Sequence, residues 1–452
     1  MKSRFFVVLC FAFGLVRGYA QEKAEPVSFS LESAQAYALE NSYEITDAQY
    51  NVSAAKARVG ETRAMGLPQI SADVSYQNFL NLATSLLPAQ IFDKDAEPGK
   101  MIAVQFGTSQ NATAGLQVNQ LVFNGSYIVA LRSSAAYTQM SELSLQKTKS
   151  QVKASVRQAY VAVLVSDASI HVLDSMLITT QSSLKHIEAM YKAGFIEETD
   201  AAQVRLLVSS LTTQLNSAKL QADIARKMLQ YQMGIPSTGN IVLTDNLSKV
   251  LNSIDKTAYL QVSMELEGNI DYKTIKNAEH VSELLLLLEK SAYLPTLSAY
   301  FSQSYNANRN EFSFFDKSEP WYQTSVWGLK LTIPIFSGGE RYYKVKRAKI
   351  ELEQARNQAA KMADALTLEF TNARNTYNTA YQNYLNSIED KKIARTIYER
   401  SVVKFEKGVG TSTDLLQNHN QYLQKETAYF GSLQMFLSSQ SELERILTKA
   451  EN

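Results

Sequence analysis

The side chains best suited to chemistry are few in this chain and poorly spaced for it. Four histidines occur, His171, His186, His280 and His419. They form no two-His metal pair at helical spacing and none has a cysteine beside it, so no metal-ligand set can be read from them. Each is most simply a helix-surface or packing residue. No Gly-rich phosphate loop, Ser-His-Asp set or spaced pair of carboxylates stands out. The chain therefore reads as a non-enzyme, with no cofactor and no metal. A hydrolase of the cell envelope would need a cluster of titratable groups, and none can be named. The formal net charge is +1 and charged residues make up 20%, which leaves no basic field for nucleic acid.

The elements around these residues are more informative. Residues 340–407 contain neither Pro nor Gly. An apolar stripe runs Leu352, Ala355, Ala359, Met362, Leu366, Phe370, Ala373, Tyr377, Ala380, Tyr384, Ile388, a mean step of 3.6 residues, the period of a straight α-helix. At about 1.5 Å per residue the stretch makes a rod of roughly 100 Å. No compact core is that long, so the rod must pack against other rods. On this stretch alone a coiled-coil scaffold is the simplest account.

Lys2 and Arg4 precede an apolar run, Phe5 to Val16, and Gly18-Tyr19-Ala20 supplies small residues before Gln21. Residues 1–20 read as a secretory signal peptide. Cys10, the one cysteine, lies inside it, so the mature chain is expected to carry no thiol. No other segment is a continuous apolar run long enough for a helical span.

The chain then repeats itself. Gly194 and Asp200 match Gly408 and Asp414 at one offset. Phe123-Asn124-Gly125 matches Phe336-Ser337-Gly338, and Leu67-Pro68 matches Leu294-Pro295 with a longer insertion following in the first copy. Three landmarks in the same order indicate a duplication. The first repeat covers 21–236: a helix (31–65), a β-hairpin (about 68–123), a long helix (about 126–193) and a return helix (about 199–233). A linker or side element occupies 237–258. The second repeat covers 259–452: a helix (about 259–293), a β-hairpin (about 295–336), a long helix (about 340–407) and a return helix (about 413–447). In each copy a Gly turn ends the long helix, and Thr199-Asp200 or Thr413-Asp414 caps the next.

The hairpins alternate with period two: Ile70, Ala72, Val74 and Tyr76 against Ser71, Asp73 and Ser75, and Trp327, Leu329 and Leu331 against Gly328, Lys330 and Thr332. Nothing else in the chain looks like a cover for the apolar faces. The two hairpins either form a small sandwich or belong to a barrel shared between chains, apolar face to lipid and polar face to a wet lumen. Tyr300, Phe301, Trp321, Tyr322 and Trp327 are candidate membrane-interface aromatics. Residues 86–106 and 306–320 read as polar loops, of the kind found on the outer face of such barrels.

With its duplication, Leu-Pro hairpin starts, Phe-x-Gly hairpin ends and paired turns Gly194…Asp200 and Gly408…Asp414, nearly the whole mature sequence resembles the TolC-like outer-membrane efflux family. The resemblance implies a mainly α fold with a membrane β-barrel part. Long helical hairpins would form a trimeric α-barrel, and four strands per chain would enter a shared trimeric β-barrel. It implies a homotrimer in the Gram-negative outer membrane, extending into the periplasm. A periplasmic adaptor (membrane fusion) protein and an inner-membrane pump of RND or ABC type would dock on it, and small toxic molecules would leave through it. Type I protein secretion and a pore-free periplasmic scaffold are the alternatives. Gly194, Phe195, Ile196, Glu197, Glu198, Thr199 and Asp200, with Gly408, Val409, Gly410, Thr411, Ser412 and Thr413, would then be the periplasmic tips that meet the adaptor. Asp414 stands where a pore-facing Asp is common, and three copies would make an acidic ring that favours cations. The sequence departs from the family at three gate positions: Gln417 where a second Asp is common, Gly410 where some members carry an Arg, and Phe405 where a Tyr is frequent. A closed state would then rest on Phe405 packing and hydrogen bonds.

Overall fold

The computed structural model describes residues 27–253, 256 and 259–450; the expected signal peptide lies outside the described residues. The elements in order are β1 (Val27–Phe29), α1 (Leu31–Asn41), α2 (Tyr43–Ala64), β2 (Gln69–Asn78), β3 (Thr84–Pro88), β4 (Met101–Gln105), β5 (Gln110–Asn124) and α3 (Gly125–Lys192). Then come α4 (Glu198–Met233), β6 (Ile241–Leu243), α5 (Leu247–Ser253), α6 (Ile270–Ser291), β7 (Thr296–Arg309), β8 (Tyr322–Thr332), α7 (Glu340–Glu406) and α8 (Ser412–Ile446). The chain divides into two compact units. One takes the segment ending at Tyr43, Val152–Gln261 and Thr376–Glu442; the other takes Glu44–Gln151, Val262–Asn375 and the segment from Leu443. Each unit draws on both sequence copies, because the long helices contribute chain to both.

The second of these units holds the sheet. Its strands lie in the order β2-β5-β7-β8, antiparallel throughout, with β2 and β8 as edges. The period-two alternation fixes the faces. Ile70 pairs with Val118, Val118 with Phe301, and Phe301 with Trp327, an apolar row across all four strands. One residue along, Gln69, Asn119, Tyr300 and Gly328 make a row on the opposite face. Ser75, Thr113, Asn306 and Tyr322 make another, in which the Thr113 hydroxyl donates to Asn306 Oδ1 at 2.9 Å. The apolar face is bare: Val74 is 83% exposed and Trp327 78%. The Phe-x-Gly and Leu-Pro motifs meet here. A Cβ on Gly125 would stand 2.5 Å from Leu294 Cδ1 and 3.2 Å from the Ser291 carbonyl oxygen, so glycine as the first residue of α3 lets the start of the second hairpin pack closely against it.

Two expectations about this unit need correction. Residues 86–106 were expected to be a polar loop; they contain the hairpin β3–β4, paired from Thr84–Gln105 to Pro88–Met101. Leu86, Leu87, Ile102 and Val104 carry strand propensity that the surrounding charges masked. The helix expected from about 259 starts only at Ile270. Asn269 sets that start. Its Oδ1 accepts the N–H groups of Asp271 (2.9 Å) and Tyr272 (3.1 Å), while its Nδ2 donates to the Ile446 carbonyl at 2.7 Å. One buried side chain thus caps the start of α6 and the end of α8, joining two helices end to end.

In the other unit, the side chains of α3, α4, α7 and α8 share one apolar core that includes Ile187, Val204, Leu207, Leu211, Tyr398, Phe405, Leu415 and Tyr422. The helix expected from 31 to 65 is broken at Ser42, whose backbone is extended (φ −66°, ψ 144°). Gly234, which ends α4 at φ 76°, lies against the break; a Cβ there would stand 2.2 Å from the Asn41 carbonyl oxygen. The expected linker, 237–258, holds β6, which pairs in parallel with β1, and α5. Asp245 anchors this side element. Its carboxylate accepts the Leu31 N–H (2.8 Å) and the Lys249 ammonium (2.6 Å). Tyr160 Oη lies 3.0 Å from the Phe29 carbonyl and 3.1 Å from Asp245 Oδ2. The Lys249 hydrogen bond holds the Asp245 carboxyl below its ordinary pKa, against the effect of burial. By length and composition α3 contains a window apolar enough to cross a membrane, at a mean hydropathy of 1.7. One third of that window is buried in the protein, with Val161, Val163 and Leu164 among the buried side chains of the helix.

Candidate functional site

The candidate site is the pair of turns that end the long helices. Both are built alike. Gly194 (φ 78°) and Gly408 (φ 72°) are left-handed. Phe195 N–H reaches back to the Met190 carbonyl (3.0 Å) and Gly194 N–H to that of Tyr191 (2.9 Å). Val409 and Gly408 repeat the pattern on Lys404 and Phe405, each at 3.0 Å. This is the Schellman geometry, and it satisfies the last carbonyls of the rod.

The caps of the returning helices lie earlier than the sequence reading placed them. Thr199 and Thr413 are the second residues of α4 and α8, not their caps. The Thr411 hydroxyl accepts the Asp414 N–H at 3.1 Å, and Glu197 takes the cap position of α4 through its backbone. The left-handed glycine reverses the chain so tightly that four residues later it already re-enters a helix. Thr199 instead donates its hydroxyl to Glu197 Oε2 at 3.3 Å.

The two turns are tied together by Ser412, which is buried and donates its hydroxyl to Asp200 Oδ1. That link joins the sequence-equivalent ends of the two copies, and spacing within either copy could not reveal it. Phe405 is buried in the core shared by the four helices, and Ile196 packs on that core. Phe195 and Val409, by contrast, are apolar side chains left bare at the turns. Glu197, Glu198, Thr413, Asp414 and Gln417 are exposed. Gly410 has no room to spare: a Cβ would lie 3.1 Å from Phe405 N and 3.2 Å from Lys404 Cβ. A groove of about 340 Å³ runs between α7 and α8, lined by Arg400, Ser401, Lys404, Gly410, Asp414 and Asn418 among others. Arg400 and Lys404 were missed from the sequence, because nothing in the helix period distinguishes them from other solvated cations.

Deeper between the same helices lies His419, 0% exposed, with neither ring nitrogen bonded to a protein group. The Tyr398 ring meets it edge-on at 5.3 Å. Burial drives its pKa down to about 4. It is a packing histidine, and among the described residues no three His, Asp or Glu side chains gather as a metal site.

The five aromatics expected at a membrane interface separate. Phe301 and Trp327 lie on the apolar face. Tyr300 and Tyr322 are one residue out of phase and lie on the polar face, where Tyr300 covers Gly328: a Cβ at Gly328 would stand 2.7 Å from the Tyr300 hydroxyl. Trp321 precedes β8 and donates Nε1–H to the Phe314 carbonyl at 3.3 Å. The pleat, not aromatic character, decides which side a residue faces.

An antiparallel sheet with open edges and a bare apolar face, together with helical hairpins in which rods of 68 and 67 residues are closed by paired Schellman turns, is the strand-and-rod plan of the outer-membrane efflux fold. The chain belongs to the outer membrane efflux protein family, whose family model matches residues 36–234 and 287–448. It is similar to the alkaline protease secretion protein AprF of Pseudomonas aeruginosa, 20% identical over 67% of this chain and 62% of AprF. It is 24% identical to the cation efflux system protein CusC of Escherichia coli K12 over 55% of each chain. These alignments thus span less than two thirds of either relative. The crystal structure of CusC superposes with a TM-score of 0.72 at 15% identity, covering 93% of this chain and 92% of CusC. The Campylobacter jejuni CmeC outer membrane channel gives 0.68 at 18% identity, covering 92% of this chain and 85% of CmeC. These likenesses establish the fold.

Proposed function

We propose that three copies of this chain make an exit duct for an export system that spans the cell envelope. The observation that carries this reading is the sheet: β2 and β8 are unpaired edges, one face is bare and apolar, and the other is lined by Gln, Ser, Asn and Thr. Edges of this kind are stable in a membrane only when closed. Joining β8 of one copy to β2 of the next gives a barrel with lipid outside and water inside. The repeats described above, the periplasmic role of the turns and the pore-facing position of Asp414 are part of the same proposal. A periplasmic adaptor would bind the turns through Phe195 and Val409, and an inner-membrane pump would supply the energy. Efflux of small toxic molecules is the principal reading. The likeness to AprF favours protein secretion as the second.

The test is fractionation followed by conductance. A duct stays with outer membranes through salt and carbonate washes, migrates as a trimer in detergent, and conducts ions in a planar bilayer once its tips are loosened. Release by the washes, or a detergent monomer whose four strands close on each other, would overturn it in favour of a periplasmic scaffold.

A further inference from the structure

Asp414 does not stand alone. It shares its groove with Arg400 and Lys404, which lie one turn apart on α7. Some cations along that helix are matched by carboxylates, as Lys344 is by Glu340 (2.7 Å), Arg356 by Glu353 (3.1 Å), Lys391 by Glu426 (2.8 Å) and Arg395 by Glu399 (2.7 Å). Among the described residues, Arg400, Lys404 and Asp414 make no ion pair. Thr411 and Asn418, also in the groove wall, offer neutral hydrogen-bond donors. The charged groups of the groove are therefore two cations against one carboxylate, an excess of one positive charge per chain.

We propose that this groove is an anion-binding site and that the constriction it borders favours anions, the opposite of what Asp414 by itself implies. The inference rests on the reading of the turns as the closed end of a duct. Arg400 offers a planar fork that suits phosphate, sulfonate or carboxylate, and Lys404 adds a point charge one turn away. Three copies around an axis would sum these excesses, and wherever they stand within the screening length of about 8 Å of one another small cations are repelled where an acidic ring would have drawn them. The packing of Gly410 leaves the groove floor without a side chain of its own. The ligand class is a multivalent anion, carried by cargo or free in the periplasm.

The experiment uses the full-length trimer in planar bilayers under a potassium chloride gradient. Inorganic pyrophosphate and hexaamminecobalt(III) serve as blocking probes from the turn side. Wild type is expected to prefer chloride and to be blocked by pyrophosphate. Arg400→Gln/Lys404→Gln should shift the reversal potential toward cations and weaken the pyrophosphate block at least tenfold. Asp414→Asn should increase the anion preference. A cation-selective wild type, blocked by hexaamminecobalt and unmoved by the double variant, overturns the proposal. If the double variant does not assemble, Arg400→Gln alone should give a partial shift, and no shift overturns it. A trimer that conducts nothing even after Ser412→Ala has loosened the turns refutes the duct reading instead. Calorimetric titration of detergent-purified trimers with pyrophosphate then decides the groove: binding lost in the double variant supports it, and no binding to wild type overturns it.

Discussion

His419 makes the helical hairpin of α7 and α8 acid-sensitive, by an amount that follows from its surroundings. The imidazole is fully buried and has no protein partner on either nitrogen. No charged group contributes to its shift; desolvation alone lowers the pKa from 6.5 to about 4. The unfolded chain keeps the ordinary value, so between pH 6.5 and pH 4 it binds a proton that the native state does not. Stability is therefore fully present above pH 6.5, falls as the pH drops through that window, and levels off below pH 4. At about 1.4 kcal/mol per pKa unit the loss is about 3 kcal/mol per chain. Carboxylates titrate in the same range, so the readout is a difference. His419→Leu keeps the volume and removes the titration. It should also be more stable at neutral pH by about 1–3 kcal/mol, because two unsatisfied polar atoms leave the core. Thermal melting in detergent at half-unit pH steps, with hydrogen exchange of α7 and α8 as a local probe, measures both effects. Wild type and His419→Leu falling in parallel from pH 6.5 to 4 would refute the reasoning, since that requires a hydrated or hydrogen-bonded imidazole.

The remaining predictions concern the devices that join the elements. Gly234→Ala combines a left-handed φ of 76° with a 2.2 Å overlap on backbone; it should cost about 3 kcal/mol or more, seen as a lower melting temperature and poor trimer yield. Asn269→Ala removes the α6 cap and the bond to the Ile446 carbonyl, a loss of about 1–3 kcal/mol, with faster exchange confined to the ends of α6 and α8. Val74→Arg on the apolar face should cost about 2–4 kcal/mol and deplete the protein from outer membranes. Ser75→Arg, one residue along on the polar face, should assemble normally; equal loss from both would contradict the assignment of faces. Ser412→Ala breaks the link to Asp200 and should raise conductance of the closed channel without changing trimer stability by more than about 1 kcal/mol.

Long-range order was legible in the sequence wherever a period or a backbone constraint enforced it. A 3.6-residue stripe free of Pro and Gly can only be a rod, and strict alternation can only be a half-covered strand. Gly194 and Gly408 announce turns because few other residues accept a positive φ. Those signals are local, and they fixed the rods, the four main strands and the place of the tips. The structure decided what depends on contact between distant segments. Asn269 could cap α6 only because the end of α8 arrives beside it. Ser42 breaks a helix where α4 ends against it, and β6 is a strand because β1 lies alongside. The link from Ser412 to Asp200 and the company Asp414 keeps with Arg400 and Lys404 belong to this second kind. Composition and spacing present Asp414 as an isolated acid, whereas the sign of the field at the turn depends on which side chains α7 brings across from it.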